Sequence, residues 1–139
     1  PMSPTPGYSG TPLAKKLGIK DSMRIAVLHA PQELDQWLGD LPSDVEFRSD
    51  LRAGSLDIVM IFAVQRSKLE SEITRAEARI QSDGMIWCCW PKKASKVPTD
   101  ITEEIVREIA LAGRLVDVKV CAVSEVWSGL KLVIRKELR

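Results

Sequence analysis

The chain has 139 residues, is 45% apolar and 28% charged, and carries a formal net charge of +1. That length suits one domain with a core of its own and no need of disulfide staples. The near-neutral balance argues against a dedicated nucleic-acid binder, which is usually more basic, so any basic site must be local.

The opening stretch "PMSPTPGYSGTP" is rich in Pro, Ser, Thr and Gly and reads as a flexible tail or extended arm over 1–12. It lacks the charged start and apolar run of a signal peptide, and no run in the chain approaches the roughly 18–20 apolar residues of a transmembrane helix. The three cysteines, Cys88, Cys89 and Cys121, are therefore expected as reduced thiols in a bacterial-type cytoplasm, with no membrane partner.

"LAKKLGIK" places Leu13 and Leu17 four apart before Gly18, one or two helical turns lying on the domain. Residues 25–28 are wholly apolar, as in a strand buried on both faces. "QELDQWLGDLP" sets Leu34, Trp37, Leu38 and Leu41 at helical spacing, with Gly39 and Pro42 as breakers. "DVEFRSD" alternates Val45 and Phe47 with polar residues, as a half-buried or edge strand would. Residues 58–64 form the strongest apolar, β-branched run and are predicted to sit centrally. An amphipathic helix follows, with Leu69, Ile73, Ala76 and Ile80 on one face and Gly84 as its stop.

Residues 85–90, "MIWCCW", predict a third buried strand. A helix is predicted from Thr99 or Asp100 as N-cap, with Ile101, Ile105 and Ile109 on its face and Gly113 at its end. "VDVKVCAV" and "GLKLVIRK" are two alternating strands around "SEVWSG", whose Ser128-Gly129 suits a turn or bulge. The order predicts an α/β fold. Three layers, Rossmann-like, would enclose a mostly parallel sheet ending in an antiparallel hairpin, as a single domain over 13–139.

This layout resembles a shortened class I S-adenosylmethionine-dependent methyltransferase core. "RIAVLHA" stands where that family has its first strand, "DIVMIFAV" where it has its fourth, and "VDVKVCAVSEVWSGLKLVIRK" where it has its final antiparallel pair. The chain is also similar to a small bacterial domain family of unknown function marked by "SGTPLAKKLGIK", a "WPKKAS" loop and "DITEEIVRE". That second resemblance implies a fold and no activity. The methyltransferase resemblance implies a Gly-rich turn after the first strand, which lets backbone approach the cofactor closely. Here the strand runs into "LHAPQEL", with no glycine between Leu28 and Gly39 and with Pro31 in the loop. Glu46 and Asp50 would stand where the family places an acidic ribose ligand.

Cys88 and Cys89 point to opposite faces of their strand, and no Cys-x-x-Cys spacing accompanies the single histidine, so a metal site is not expected. Trp87 shares a face with Cys89, and Trp90 shares one with Cys88. In open α/β sheets ligands bind outside the carboxyl ends of strands at the topological switch point. Sequence order places His29, Gln65, Arg66, Lys92 and Lys93 at those ends, with Trp90 as a wall. Four of them, His29, Arg66, Lys92 and Lys93, would suit a phosphate, carboxylate or nucleotide. The expectation is a non-enzymatic binding domain, without cofactor, for an anionic small ligand or a protein partner. The alternatives are a residual methyltransferase and a nucleic-acid module using the lysine-rich segments.

Overall fold

The computed structural model describes residues 11–139. The tail expected over 1–12 lies outside them except for Thr11 and Pro12. Ten elements follow in chain order: α1 (Leu13–Lys16), β1 (Arg24–Leu28), α2 (Leu34–Leu38), β2 (Glu46–Arg48), β3 (Leu56–Phe62), α3 (Arg66–Glu77), β4 (Ile80–Pro91), α4 (Glu103–Ala112), β5 (Leu115–Ala122) and β6 (Trp127–Ile134). Short 3-10 turns at Lys93–Ser95 and Lys136–Leu138 complete the described chain. The six strands form one sheet in the order β2-β1-β3-β4-β6-β5. β2, β1, β3 and β4 are parallel, and β6 runs antiparallel between β4 and β5.

Two apolar layers hold the sheet, and strand parity assigns residues to them. Ala26, Leu28, Val59, Ile61, Ile86, Cys88 and Leu130 meet Leu69, Ile73 and Ala76 of α3 and Val106 and Ala110 of α4. Ile25, Val27, Ile58, Met60, Trp87 and Cys89 meet Leu13 and Leu17 of α1 and Leu34 and Leu38 of α2. The unbroken apolar runs of β1, β3 and β4 are what a strand covered on both faces requires. α1 is only one turn long, and a buried bond anchors its end, from the Trp87 indole N–H to the Leu17 carbonyl at 3.0 Å.

Several local expectations change. α3 ends at Glu77, so Ile80 opens β4 and is not on the helix, and Gly84 lies inside the strand rather than stopping the helix. Leu56 pairs with Ile80 but Ile58 with Met85, so β4 carries extra residues at this point. A Cβ at Gly84 would stand 3.1 Å from the Leu56 carbonyl oxygen and 3.0 Å from that of Gln81, so any side chain at the bulge would push the backbone aside. β3 stops at Phe62, short of the residue 64 expected, and Val64 is exposed.

α4 is capped by Thr102, whose side chain accepts the Ile105 N–H at 3.2 Å, and not by Thr99 or Asp100. Those two residues do other work. Thr99 donates to the Val64 carbonyl, and the Asp100 carboxylate accepts the Arg66 N–H at 2.7 Å at the start of α3. The buried face of α4 is Val106 and Ala110 with Ile109 packed beside them, while Ile105 is half-buried. Ser128 and Gly129 lie within β6. The turn before them is closed by Ser124, whose hydroxyl accepts the N–H groups of Val126 and Trp127.

Candidate functional site at the carboxyl edge of the sheet

β1 leads to β2 on one side of itself, and the chain then crosses to β3 on the other, so the switch point lies between β1 and β3. A pocket of about 420 Å³ opens there, lined by His29, Phe62, Ala63, Gln65, Lys68 and Trp127 among others. Its size lies within the usual range for small-ligand sites, roughly 300–1,000 Å³.

His29 is the residue on which β1 leaves the sheet, and its φ is 59°. Left-handed backbone is the territory of glycine, and among other residues histidine is one of those that tolerate it. The turn that the methyltransferase family makes with glycine is thus made here with a side chain. That side chain is held: His29 Nε2 lies 2.6 Å from Glu72 Oε2. Glu72 is 6% exposed and sits on the sheet-facing side of α3 with Leu69, Ile73 and Ala76. Its other oxygen, Oε1, is buried with no hydrogen-bond partner among the described residues. A carboxylate at this depth is costly unless paired, so the His29 bond matters to the fold as well as to the pocket. Sequence proximity offered His29 no carboxylate. The partner comes from 43 residues away, and the only sequence signal was an acid at the i+3 position from Leu69, inside the apolar stripe of α3.

Lys68, one turn into α3, supplies the pocket's ammonium and has no ion-pair partner among the described residues. Trp127 opens β6 and stands edge-on to Phe62, with ring centroids 5.1 Å apart at 87°, which makes an aromatic floor. Neither was among the residues expected from sequence.

The expected cluster is spread out. His29 and Gln65 line the pocket. Arg66 turns away: its guanidinium meets Glu70 at 3.2 Å and Glu108 at 3.5 Å, which ties α3 to α4. Trp90 is 7% exposed and packs in the layer of α3 and α4, next to Cys88. Lys92 leaves β4 with its N–H bonded to the Val126 carbonyl at 2.7 Å, and Lys93 begins the 3-10 turn, exposed. Cys88 and Cys89 are wholly enclosed on opposite faces, and burial pushes both thiols well up from their ordinary value. Among the described residues no group of three or more His, Cys, Asp and Glu side chains could hold a metal ion.

A second pocket of about 360 Å³ lies between the ends of β1 and β2, lined by Pro31, Asp35, Phe47, Arg48 and Ser49 among others. Glu46 is not at this edge: it opens β2 opposite Arg24, at the amino end of the sheet. Asp50 lies past β2, its carboxylate accepting the Arg52 N–H at 3.0 Å. The end of β2 therefore presents Arg48 and Ser49 where an acidic ribose ligand would stand.

No family model matches the chain, and no curated protein matches it. Solved structures do. A SAM-dependent methyltransferase from Aquifex aeolicus is similar over 88% of this chain and 87% of its own, at 12% identity and a TM-score of 0.56. DhpI, solved as a complex with SAH, is similar over 88% of this chain and 82% of its own, at 12% identity and a TM-score of 0.61. A ribosomal protein L11 methylase from Lactobacillus delbrueckii subsp. bulgaricus is similar over 88% and 74%, at 10% identity and a TM-score of 0.54. The likeness is one of fold. The chain has a Rossmann-like, methyltransferase-like core, with a mostly parallel sheet and an antiparallel C-terminal hairpin.

Proposed function

We propose that this domain binds a small ligand bearing a phosphate or carboxylate in the pocket between β1 and β3. The observation that carries the reading is the meeting, at the switch point, of an unpaired ammonium, Lys68, with an imidazole fixed by the buried Glu72. Lys68 offers a mobile point charge to an anion. Glu72 holds Nε2 and so orients the ring. Trp127 and Phe62 supply the apolar wall that such pockets usually have.

A second reading, methyl transfer from S-adenosylmethionine, is favoured by the solved structures of like fold, one of them holding SAH. Fold alone does not transfer chemistry. The residues around β1 do not fit that cofactor in the family's manner. His29 takes the place of glycine, Pro31 follows, and Arg48 and Ser49 stand at the end of β2.

Thermal unfolding and calorimetry with inorganic phosphate, nucleoside phosphates, S-adenosylmethionine and S-adenosylhomocysteine separate the two readings. The first expects stabilisation by an anion, with affinity falling about tenfold or more in Lys68→Ala, as the loss of a charged hydrogen bond implies. Stabilisation by the adenosyl ligands alone would replace it with the second. No response to any of them would overturn both.

A further inference from the structure

We infer that the face of β5 and β6 on the α1 side is a docking surface for the phosphate backbone of a nucleic acid, formed by Lys16, Lys20, Lys92, Lys119 and Lys131. It lies apart from the pocket between β1 and β3 and shares none of that pocket's residues.

The argument begins with register. Lys131 of β6 stands opposite Trp87 of β4 on one side and opposite Lys119 of β5 on the other, so all three share one face. Trp87 places that face on the side of α1 and α2. Leu13, Leu17, Leu34 and Leu38 cover it over β1, β3 and β4. Farther along, at the same level as Trp87, the sheet carries two lysines directly opposite each other in place of apolar side chains. Like charges in directly opposed positions destabilise a sheet, so the pair is unfavourable for the fold itself.

Other lysines join them. The Trp87 bond to Leu17 sets the end of α1 against β4, and the charges of Lys16 and Lys20 beside it act on Cys121 and Lys131. Burial of Lys131, together with the charges of Lys119 and Lys20, pulls its ammonium below the ordinary lysine value. The charges of Lys16, Lys119 and Lys92 oppose the upward push of burial on the Cys121 thiol. Five lysines thus gather from α1 and the loop after it, the end of β4, and β5 and β6. None of Lys20, Lys92, Lys119 and Lys131 has a carboxylate partner among the described residues. The chain has 19 acidic residues for its 20 basic ones, so the gathering is a segregation of charge and not an excess of it.

The form of the patch indicates its ligand. A single phosphate is best held by convergent donors, an arginine fork or a nest of backbone N–H groups. Here two donors, Lys119 and Lys131, stand on neighbouring strands about 4.8 Å apart on a pleated surface, and the others come from separate segments. Lysine is a point charge without bidentate geometry, suited to successive phosphates and indifferent to base sequence. The surface has no amphipathic helix to enter a bilayer, which argues against a lipid headgroup layer.

The test is fluorescence anisotropy of the full chain with a labelled, mixed-sequence oligonucleotide, single-stranded and duplex, across a salt series. Five lysine contacts predict a log–log salt slope of about −3 to −4 on single strands. The double variant Lys119→Gln/Lys131→Gln is expected to lose at least tenfold in affinity and to flatten the slope by about 1 to 1.5. Arg52→Gln, which removes an exposed cation past β2 at the other edge of the sheet, is expected to leave both unchanged. Because Lys131 is crowded by like charge, Lys131→Gln alone is expected to raise the melting temperature while weakening binding, an outcome that rules out misfolding as the cause. No binding at low salt would overturn the proposal. So would a slope that the double variant leaves intact, or capture by phosphatidylserine vesicles without capture by the oligonucleotide.

Discussion

The two halves of the sheet solve different problems. β2, β1, β3 and β4 are parallel, and the crossings between them put α2 on one side, where α1 joins it, and α3 on the other. β5 and β6 join by a tight antiparallel turn, and a turn of that kind lays no helix on the sheet. Among the described residues α4 covers one face of this half, and on the other only the end nearest Cys121, Val123 and Trp127 packs into the layer of α1 and α2. The central strands of the parallel half are therefore almost wholly apolar, with Glu72 of α3 the buried exception beside them, and polar groups gather at the strand ends around His29 and Lys68. Beyond that layer the antiparallel half carries Lys119, exposed, and Lys131, half-buried, on the same face. Strand connection, more than composition, decides where polar groups can gather.

The largest expected effect comes from breaking the cover of the parallel half. Trp87→Ala removes a side chain of zero exposure and orphans the Leu17 carbonyl. Urea unfolding is expected to show a loss of about 3–5 kcal/mol. Hydrogen exchange should show α1 released from the sheet before the rest unfolds. Retention of α1 protection would mean that Leu13 and Leu17 hold it unaided.

A smaller effect is expected at the seam between the halves. Gly129 pairs with Cys89 and Cys121, and a Cβ there would lie 3.2 Å from Val123 Cγ2 and 3.3 Å from Trp87 Cε3. Both neighbours are packed in the core, so Gly129→Ala is expected to cost about 1–3 kcal/mol by overpacking. A neutral result in the same unfolding measurement would show that Trp87 can shift, and that the seam is looser than the burial of its neighbours implies.

The smallest effect is expected on the covered face of the antiparallel half, where Arg107 of α4 reaches Asp117 of β5 at 2.9 Å. That hydrogen bond holds the Asp117 carboxyl below its ordinary value, against the upward push of burial. A lowered folded-state value contributes stability above the ordinary carboxylate range, and the contribution is lost as pH falls through the lowered value. Asp117→Asn should therefore melt slightly earlier than the parent chain at neutral pH, by less than Gly129→Ala. The gap should close in acid. A gap independent of pH would assign the effect to packing.

The strand and helix order was legible because local pattern encodes it. Residues 25–28, 58–62 and 85–90 are apolar without alternation, which marks strands covered on both faces, and α3 and α4 carry their stripes. Boundaries were less legible. Ile80 fits the helical stripe of Leu69, Ile73 and Ala76 by spacing, and only its pairing with Leu56 shows that it belongs to β4. Thr99, Asp100 and Thr102 are all capping residues by type, and the return of the loop to Val64 decides which one caps α4.

The sequence by itself determined the class of fold, the two-faced burial of the central strands, and the sheet edge at which a ligand site should open. Periodicity encodes those features within a few residues. Tertiary structure alone decided which side chains meet. It brought Glu72 to His29 and turned Arg66 to Glu70 and Glu108. It buried Trp90, put Lys68 and Trp127 in the pocket, and set Lys119 opposite Lys131. Those meetings depend on strand register and on how helices lie across the sheet, and a shift of one residue sends a strand side chain to the opposite layer.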